Sequence, residues 1–144
     1  MRYTVCFLFC NNGDLVLLQK KDRTQYAGRF NGVGGKIEPG EAPVDGARRE
    51  ILEETGAFVQ NPIWLGTLTL PQDCTLPAGQ GDAGCELHFF AGTVGNPNSA
   101  CQQPGETEEL TWFPTQHVLA DKFPLAGDGD VEYFIAKGLR AVTG

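Results

Sequence analysis

Apolar positions along this chain follow two rhythms, and the changes between them mark its elements. Residues 3–9 are apolar, β-branched or aromatic; Asn11-Asn12-Gly13-Asp14 interrupts them, and the apolar run resumes over 15–19. Two such runs about an Asn/Gly break predict a hairpin of buried strands. Residues 63–70, 87–94 and 110–113 read as further strands. A helical rhythm replaces this at Val44, Ala47 and Ile51, spaced i, i+3, i+7, with Pro43 suited to a first helical turn and Gly56 to a stop. It returns at Val131, Phe134, Ile135, Leu139 and Val142. Gly138 inside that second helix costs about 1 kcal/mol against alanine. Between the elements, 71–84 and 96–106 are rich in Gly and Pro and read as loops, and Pro39-Gly40 closes a turn after the glycine-rich 32–37. Mixed strands with one helix in the middle and one at the end predict an α/β fold, a sheet held between helices. Its 144 residues fit a single domain, 1–144.

Charge and cysteines narrow the function classes. A net charge of −7 without a basic stripe argues against a nucleic-acid polymer, though not against a nucleotide whose phosphates reach carboxylates through metal ions. Five cysteines, an odd count with no C-x-x-C pair and only two histidines to assist, argue against a zinc site and a disulfide framework. Reduced thiols in a cytoplasmic protein are expected. No apolar run is long enough to span a membrane, and the run 5–9 ends in Cys10-Asn11-Asn12-Gly13 without a signal-peptide cleavage site.

The chemistry concentrates on the first helix. Glu50, Glu53 and Glu54 fall at i, i+3 and i+4 and share an arc of about 100°. Bare, they repel one another; a divalent cation turns that repulsion into a site, and hard oxygen ligands suit Mg²⁺ or Mn²⁺. A solvated acidic helix is the ordinary meaning of such a cluster, but here the glycines and Arg49 stand at fixed distances. With Glu50 at 0°, the buried stripe centres near about +100°, Glu54 near about +40° and Glu53 near about −60°. Carboxylates so placed flank the buried face, where desolvation sharpens their hold on a cation.

Gly35, five residues, Glu41, seven residues and then Arg49-Glu50-Ile51-Leu52-Glu53-Glu54-Thr55-Gly56 resemble the Nudix box, the signature of hydrolases that cleave a nucleoside diphosphate linked to another group. The one departure is Ala57, followed by Phe58, where the family prefers a bulky aliphatic residue. The resemblance implies an α/β/α sandwich with a mixed sheet, the Nudix helix and a C-terminal helix. It implies that Glu50, Glu53 and Glu54 hold Mg²⁺ (or Mn²⁺), one doubling as base, with the Gly34 carbonyl as a further ligand. Arg49 would orient the glutamates, Gly35 would let the backbone turn beside the metal, and Glu41 would hold the loop-to-helix geometry or bind a further ion through water. Many members add a late carboxylate; Glu106, Glu108 and Glu109 are the candidates, with Glu109 favoured. A small nucleotide is the implied partner, with room for a homodimer and no role for a nucleic-acid polymer or a membrane.

Substrate cues are local. Phe30-Asn31-Gly32-Val33-Gly34-Gly35-Lys36 is similar to a segment of the MutT-like hydrolases that cleanse oxidised purine triphosphates, where an asparagine amide, both donor and acceptor, meets the base. Asp130 stands where those relatives place a base-reading acid, although they carry adjacent aspartates and a nearby tryptophan and this chain has Asp128-Gly129-Asp130. Lys21 is a candidate triphosphate contact, and Gly35 and Lys36 complete the candidate substrate-binding set. The leading expectation is a nucleoside triphosphate split into monophosphate and pyrophosphate. Pro71, fifteen residues past Gly56, is the cue for the alternative, an ADP-ribose or dinucleotide pyrophosphatase. A third class, the non-catalytic nucleotide-binding module, usually lacks metal carboxylates that this chain retains. Two other motifs fail: Lys36 is followed by Ile37, unlike a phosphate loop, and Leu139 stands where a calcium loop begun at Asp128 needs glutamate.

Overall fold

The computed structural model describes residues 1–22, 26–71, 84–120, 122–127 and 129–144. The predicted loop 71–84 therefore lies outside the described residues except at its ends, as do Cys74 and Asp128. β1 (Arg2–Cys10) and β2 (Leu15–Lys20) form the expected antiparallel hairpin, with Leu8 opposite Leu17. Asn11, Asn12 and Gly13 turn it through φ values of 53°, 54° and 88°, a region asparagine and glycine tolerate best. β5 (Cys85–Thr93) lies parallel to β1, and β4 (Ile63–Leu70) pairs antiparallel with β5 through a bulge at Trp64/Gly66. β6 (Leu110–Pro114) borders β2 antiparallel, and a two-residue β3 (Phe30–Asn31), not foreseen from sequence, pairs with the end of β2. The order is β3-β2-β1-β5-β4 with β6 on β2, a mixed sheet.

Alternation along β1 assigns its side chains to two cores. Tyr3, Val5, Phe7 and Phe9 join Phe89, Phe134 and Ile135 beneath α3 (Asp130–Thr143), where the Phe89 and Phe134 rings stack with centroids 3.9 Å apart. Cys6 and Leu8 face the other way and join Leu17, Val33 and Phe90 against Ala47 and Ile51 of α1 (Pro43–Thr55). Helices thus cover both faces, as the α/β/α expectation requires. Full burial of Ile51 is worth about 2–3 kcal/mol, well above the few tenths that each like-charge pair on α1 costs, so the acidic helix stays docked.

α1 begins at Pro43 and ends on Gly56, whose left-handed φ of 78° lets its N–H bond Leu52 O. Ala57 is buried in the α1 core with Val59, while Phe58 is 69 % exposed. The missing aliphatic bulk at the helix end is therefore supplied by Val59, not by Phe58. Gly138 has a packing reason: a Cβ there would lie 3.1 Å from Phe9 and 3.3 Å from Ala91 and Leu65, so its absence lets α3 settle on the sheet. A 3₁₀ turn, Pro97–Ser99, interrupts the predicted loop 96–106. The short α2 (Thr115–Val118) follows β6, pinned by Thr115 Oγ1 donating to Gly13 O at 2.6 Å. Among the described residues no helix is long and apolar enough to cross a membrane.

Candidate active site

Residues 32–37 run antiparallel along the first half of β1, past the point where β2 has left it. Cys6 N–H donates to Val33 O at 2.6 Å, Thr4 N–H to Gly35 O at 2.9 Å and Ile37 N–H to Arg2 O at 2.8 Å. Glycine is required here by close approach. A Cβ on Gly34, whose φ is +155°, would strike the Thr4 carbonyl oxygen, and one on Gly35 would lie 2.6 Å from the Glu50 carboxyl carbon. The segment carries the chain past the open end of α1 and lays bare backbone beside its carboxylates.

Arg49 ties the loop to the helix. Its Nε and Nη2 grip the two Glu41 oxygens at 2.9 and 3.0 Å, while Nη1 reaches Glu50 Oε1 at 2.9 Å and Glu53 Oε2 at 3.3 Å. Nη2 also donates to Lys36 O at 3.0 Å. The bidentate fork is the geometry that arginine alone among the cations provides. It holds the Glu41 carboxyl below the usual carboxylate range and raises the guanidinium above its own. Glu41 Oε1 in turn accepts from Glu38 N at 3.0 Å, closing the turn before the helix.

The three box glutamates are not equivalent. Glu53 is 55 % exposed and shares only Arg49. Glu50 is 12 % exposed, and burial raises its carboxyl in spite of Arg49. Glu54 lies farther in: Gln19 Nε2 donates to its Oε2 at 3.1 Å and Gly34 N at 3.4 Å. Burial pushes its carboxyl up to about 7, against the attraction of Lys21. Two desolvated carboxylates, Glu50 paired with Arg49 and Glu54 bonded by neutral donors, stand next to glycines whose missing Cβ atoms leave room, and fit a hard divalent cation. Among the described residues no group of three or more acidic, imidazole or thiol side chains is placed to hold a metal ion together, so Glu50, Glu53 and Glu54 do not converge on one point in this structure.

Beside Gly34 and Gly35 lies a cavity of about 490 Å³. Tyr3, Val5, Leu87 and Val131 give it an apolar wall; Asn31, Asp130, Lys21, Glu106 and Glu108 supply polar groups. The sequence candidates Asn31, Lys21, Asp130, Gly34 and Gly35 are thus brought together. Asn31 Oδ1 accepts from Gly32 N at 2.8 Å, so this residue shapes the turn and also lines the cavity. Gly127 lacks the Cβ that would collide with the Asp130 carboxylate, which folds back over it. Lys36 stands apart, its side chain exposed and only its carbonyl engaged, by Arg49. Glu109, the favoured late carboxylate, is also exposed and outside the cavity; its carbonyl accepts from Lys20 N at the start of β6. Glu106 and Glu108 line the cavity instead, with Thr107 between them.

Sequence reasoning missed Gln19 and Thr4, both buried and polar. Thr4 Oγ1 bonds the backbone of Gly35, accepting from its N–H at 3.3 Å. A period-two reading of β2 holds a signal for Gln19: it shares a face with Leu17, the face that packs against α1, where an amide needs a partner.

Comparison with known proteins gives the family and the fold. A mouse (Mus musculus) oxidized purine nucleoside triphosphate hydrolase is 57% identical over 112 residues, 76% of this chain and 65% of its own length. The chain thus spans just under two thirds of that curated relative. The structure of the mutator MutT protein from Bacillus halodurans superposes with a TM-score of 0.70 at 30% identity, covering 96% of this chain and 81% of that one. The NUDIX domain of Shewanella oneidensis NrtR, solved with ADP ribose, shares the fold at a TM-score of 0.75 and 18% identity, covering 99% of this chain and 88% of that one. The model of the NUDIX domain matches residues 1–132, from the first strand into the opening turn of α3; on that match the chain belongs to the NUDIX family.

Proposed function

We propose that this protein hydrolyses a nucleoside triphosphate, with an oxidised purine as the favoured base, to the monophosphate and pyrophosphate, using Mg²⁺ (or Mn²⁺). The observation that carries this reading is the juxtaposition of the cavity with the box: its floor at Gly34–Gly35 is also the backbone against Glu50 and Glu54. The name borne by the 57% identical mouse relative supports the choice of substrate. Glu50, Glu54 and the Gly34 carbonyl would hold the cation, with Glu53 adding charge from the exposed side. When bound, the cation neutralises phosphate charge and acidifies water. Arg49 keeps Glu50 and Glu53 aimed at the site through its own fixed fork. Both hydrogen bonds to Glu54 fall on Oε2, which leaves Oε1 as the oxygen to take up a cation or a proton. Lys21 meets phosphate, while Asn31 and Asp130 read the purine edge against the apolar wall. Cys6 and Cys10, buried as thiols, suit the reducing cytoplasm, where we place the protein.

Chromatographic analysis of products with Mg²⁺ tests the reading against common NTPs and dNTPs, 8-oxo-dGTP, ADP-ribose and a diadenosine polyphosphate. Monophosphate and pyrophosphate should form from triphosphates, with the highest kcat/KM for the oxidised purine, and Glu54→Gln should abolish them. Turnover of ADP-ribose alone would overturn the substrate assignment. Nucleotide binding in EDTA without turnover in Mg²⁺ would make the protein a binding module.

A further inference from the structure

Gln19 is a 2 % exposed amide near the end of a strand whose preceding residues, Val16, Leu17 and Leu18, are buried and apolar. Burying an amide costs about 1–3 kcal/mol unless its groups are bonded, and here both ends are bonded to charged partners. Nε2 donates to Glu54 Oε2 at 3.1 Å, and Oε1 accepts from Lys21 Nζ at 2.9 Å. The orientation is determined by charge: flipped, the amide would set its oxygen against a carboxylate and its NH₂ against an ammonium. Lys21 is held in turn by Glu108, 3.6 Å away, and Glu108 Oε2 accepts from Asp22 N at 2.8 Å. The chain of contacts therefore runs from the cavity wall through Lys21 and Gln19 to Glu54.

We propose that Gln19 is the positioning residue for Glu54: its amide, oriented by Lys21, fixes the Glu54 side chain so that Oε1 faces the cation and substrate. Glu54 is the penultimate residue of α1, with several rotatable side-chain bonds, and helix geometry alone does not choose among its rotamers. Two donors converging on Oε2 do choose. Of these the Gly34 N–H is the longer, at 3.4 Å, and belongs to backbone that the cation would also engage, so Gln19 is the tether independent of it. Glutamate at position 19 would repel Glu54. Leucine or methionine would leave both Glu54 and Lys21 without this partner. Gln19 touches neither substrate nor reacting atoms and acts through Glu54.

The assignment rests on the cation-dependent reading above, and its test separates the two. Mn²⁺ alone is titrated into the purified 144-residue chain and into Gln19→Met, with free Mn²⁺ followed by electron paramagnetic resonance. The variant should bind Mn²⁺ about tenfold more weakly, the loss expected of one hydrogen bond to a charged group. At saturating Mn²⁺ its kcat should fall about tenfold, while KM for the triphosphate moves less than about threefold. Gln19→Asn keeps an amide in the same place but is one methylene too short to span both partners. It should show the same loss, and it serves alone where the methionine variant does not fold. A lower Tm with parental Mn²⁺ affinity and kcat would make Gln19 merely structural and overturn the proposal. If the parent chain itself bound no Mn²⁺, the cation-dependent function would fall first and the Gln19 assignment with it.

Discussion

Raising the pH of the metal-free protein from about 5 to about 8 should destabilise it, chiefly through one carboxyl. Glu54 is half-buried, and that burial pushes its carboxyl up to about 7 from an ordinary 4.5. Between those values the folded chain holds a proton that the unfolded chain has released. The unfolded state then binds fewer protons, so stability declines as pH rises. The contribution is complete below the ordinary value and gone above about 7. At about 1.36 kcal/mol per pH unit the gap amounts to at most about 3 kcal/mol, and to about 2 once the water reaching this carboxylate is allowed for. For a chain of this length that is a fall in Tm of about 6 °C. Glu50, also raised by burial, adds to it in the same direction. Glu41 acts oppositely, since its lowered carboxyl stabilises above the ordinary range and is lost only as pH falls through its folded value, outside this window. The assay is calorimetry in EDTA across the window, repeated on Glu54→Gln and again with millimolar Mg²⁺. Glu54→Gln should remove most of the slope, and Mg²⁺, which favours the ionised carboxylate, should flatten it. A Tm in EDTA that stays level or climbs towards pH 8 would refute the placement of Glu54 as a desolvated, under-neutralised group.

Other consequences are more local. Glu41→Gln removes the charge from the Arg49 fork and should destabilise by about 1–2 kcal/mol; a double-mutant cycle with Arg49→Met in urea should return a coupling of that order, and a value near zero would show the fork to be incidental. Gly138→Ala gains about 1 kcal/mol of helix propensity but drives a Cβ to 3.1 Å from Phe9, and overpacking costs of about 1–3 kcal/mol should leave the variant less stable in urea titrations. Glu108→Gln should change KM for the triphosphate by releasing Lys21, whereas Glu109→Gln should leave the kinetics unchanged; the reverse ranking would restore Glu109 to the site.

What was legible in the chain was what is local. Glu50, Glu53 and Glu54 lie within about one turn of helix, so spacing alone places them on one side, and the hairpin announces itself through Asn11-Asn12-Gly13. The cavity was not legible as a shape. Its walls come from β1, the end of β4, β5 and the start of α3, segments joined only by sheet pairing and by α3 crossing the sheet. β1 is buried on both faces, so no polar alternation tells which of Tyr3 and Thr4 looks towards α3. The placement of Glu109 outside the cavity and of Glu106 and Glu108 on its wall was not legible for a related reason: these residues precede β6, and their directions follow from where that strand begins to pair with β2, at Leu110 opposite Gln19.

The same long-range pairing decides which carboxylate matters most. On the solvent side of α1, Arg49 already serves Glu41, Glu50 and Glu53. On the inner side, the donors that reach Glu54 among the described residues are neutral, from Gln19 and Gly34, and Lys21, whose charge acts on it, spends its bonds on Gln19 and Glu108. Of the three box glutamates, the one bonded to the Gly34 backbone of the cavity is thus the one without an ion pair among the described residues. A divalent ion gains most where burial has removed water and no fixed cation competes. The gradient from a saturated outer fork to a hungry inner carboxylate therefore directs a cation to the edge of the cavity, where a phosphate chain would meet it. That gradient depends on Arg49 being fully engaged with Glu41; freed from it, the guanidinium could swing inward and compete for the same oxygens.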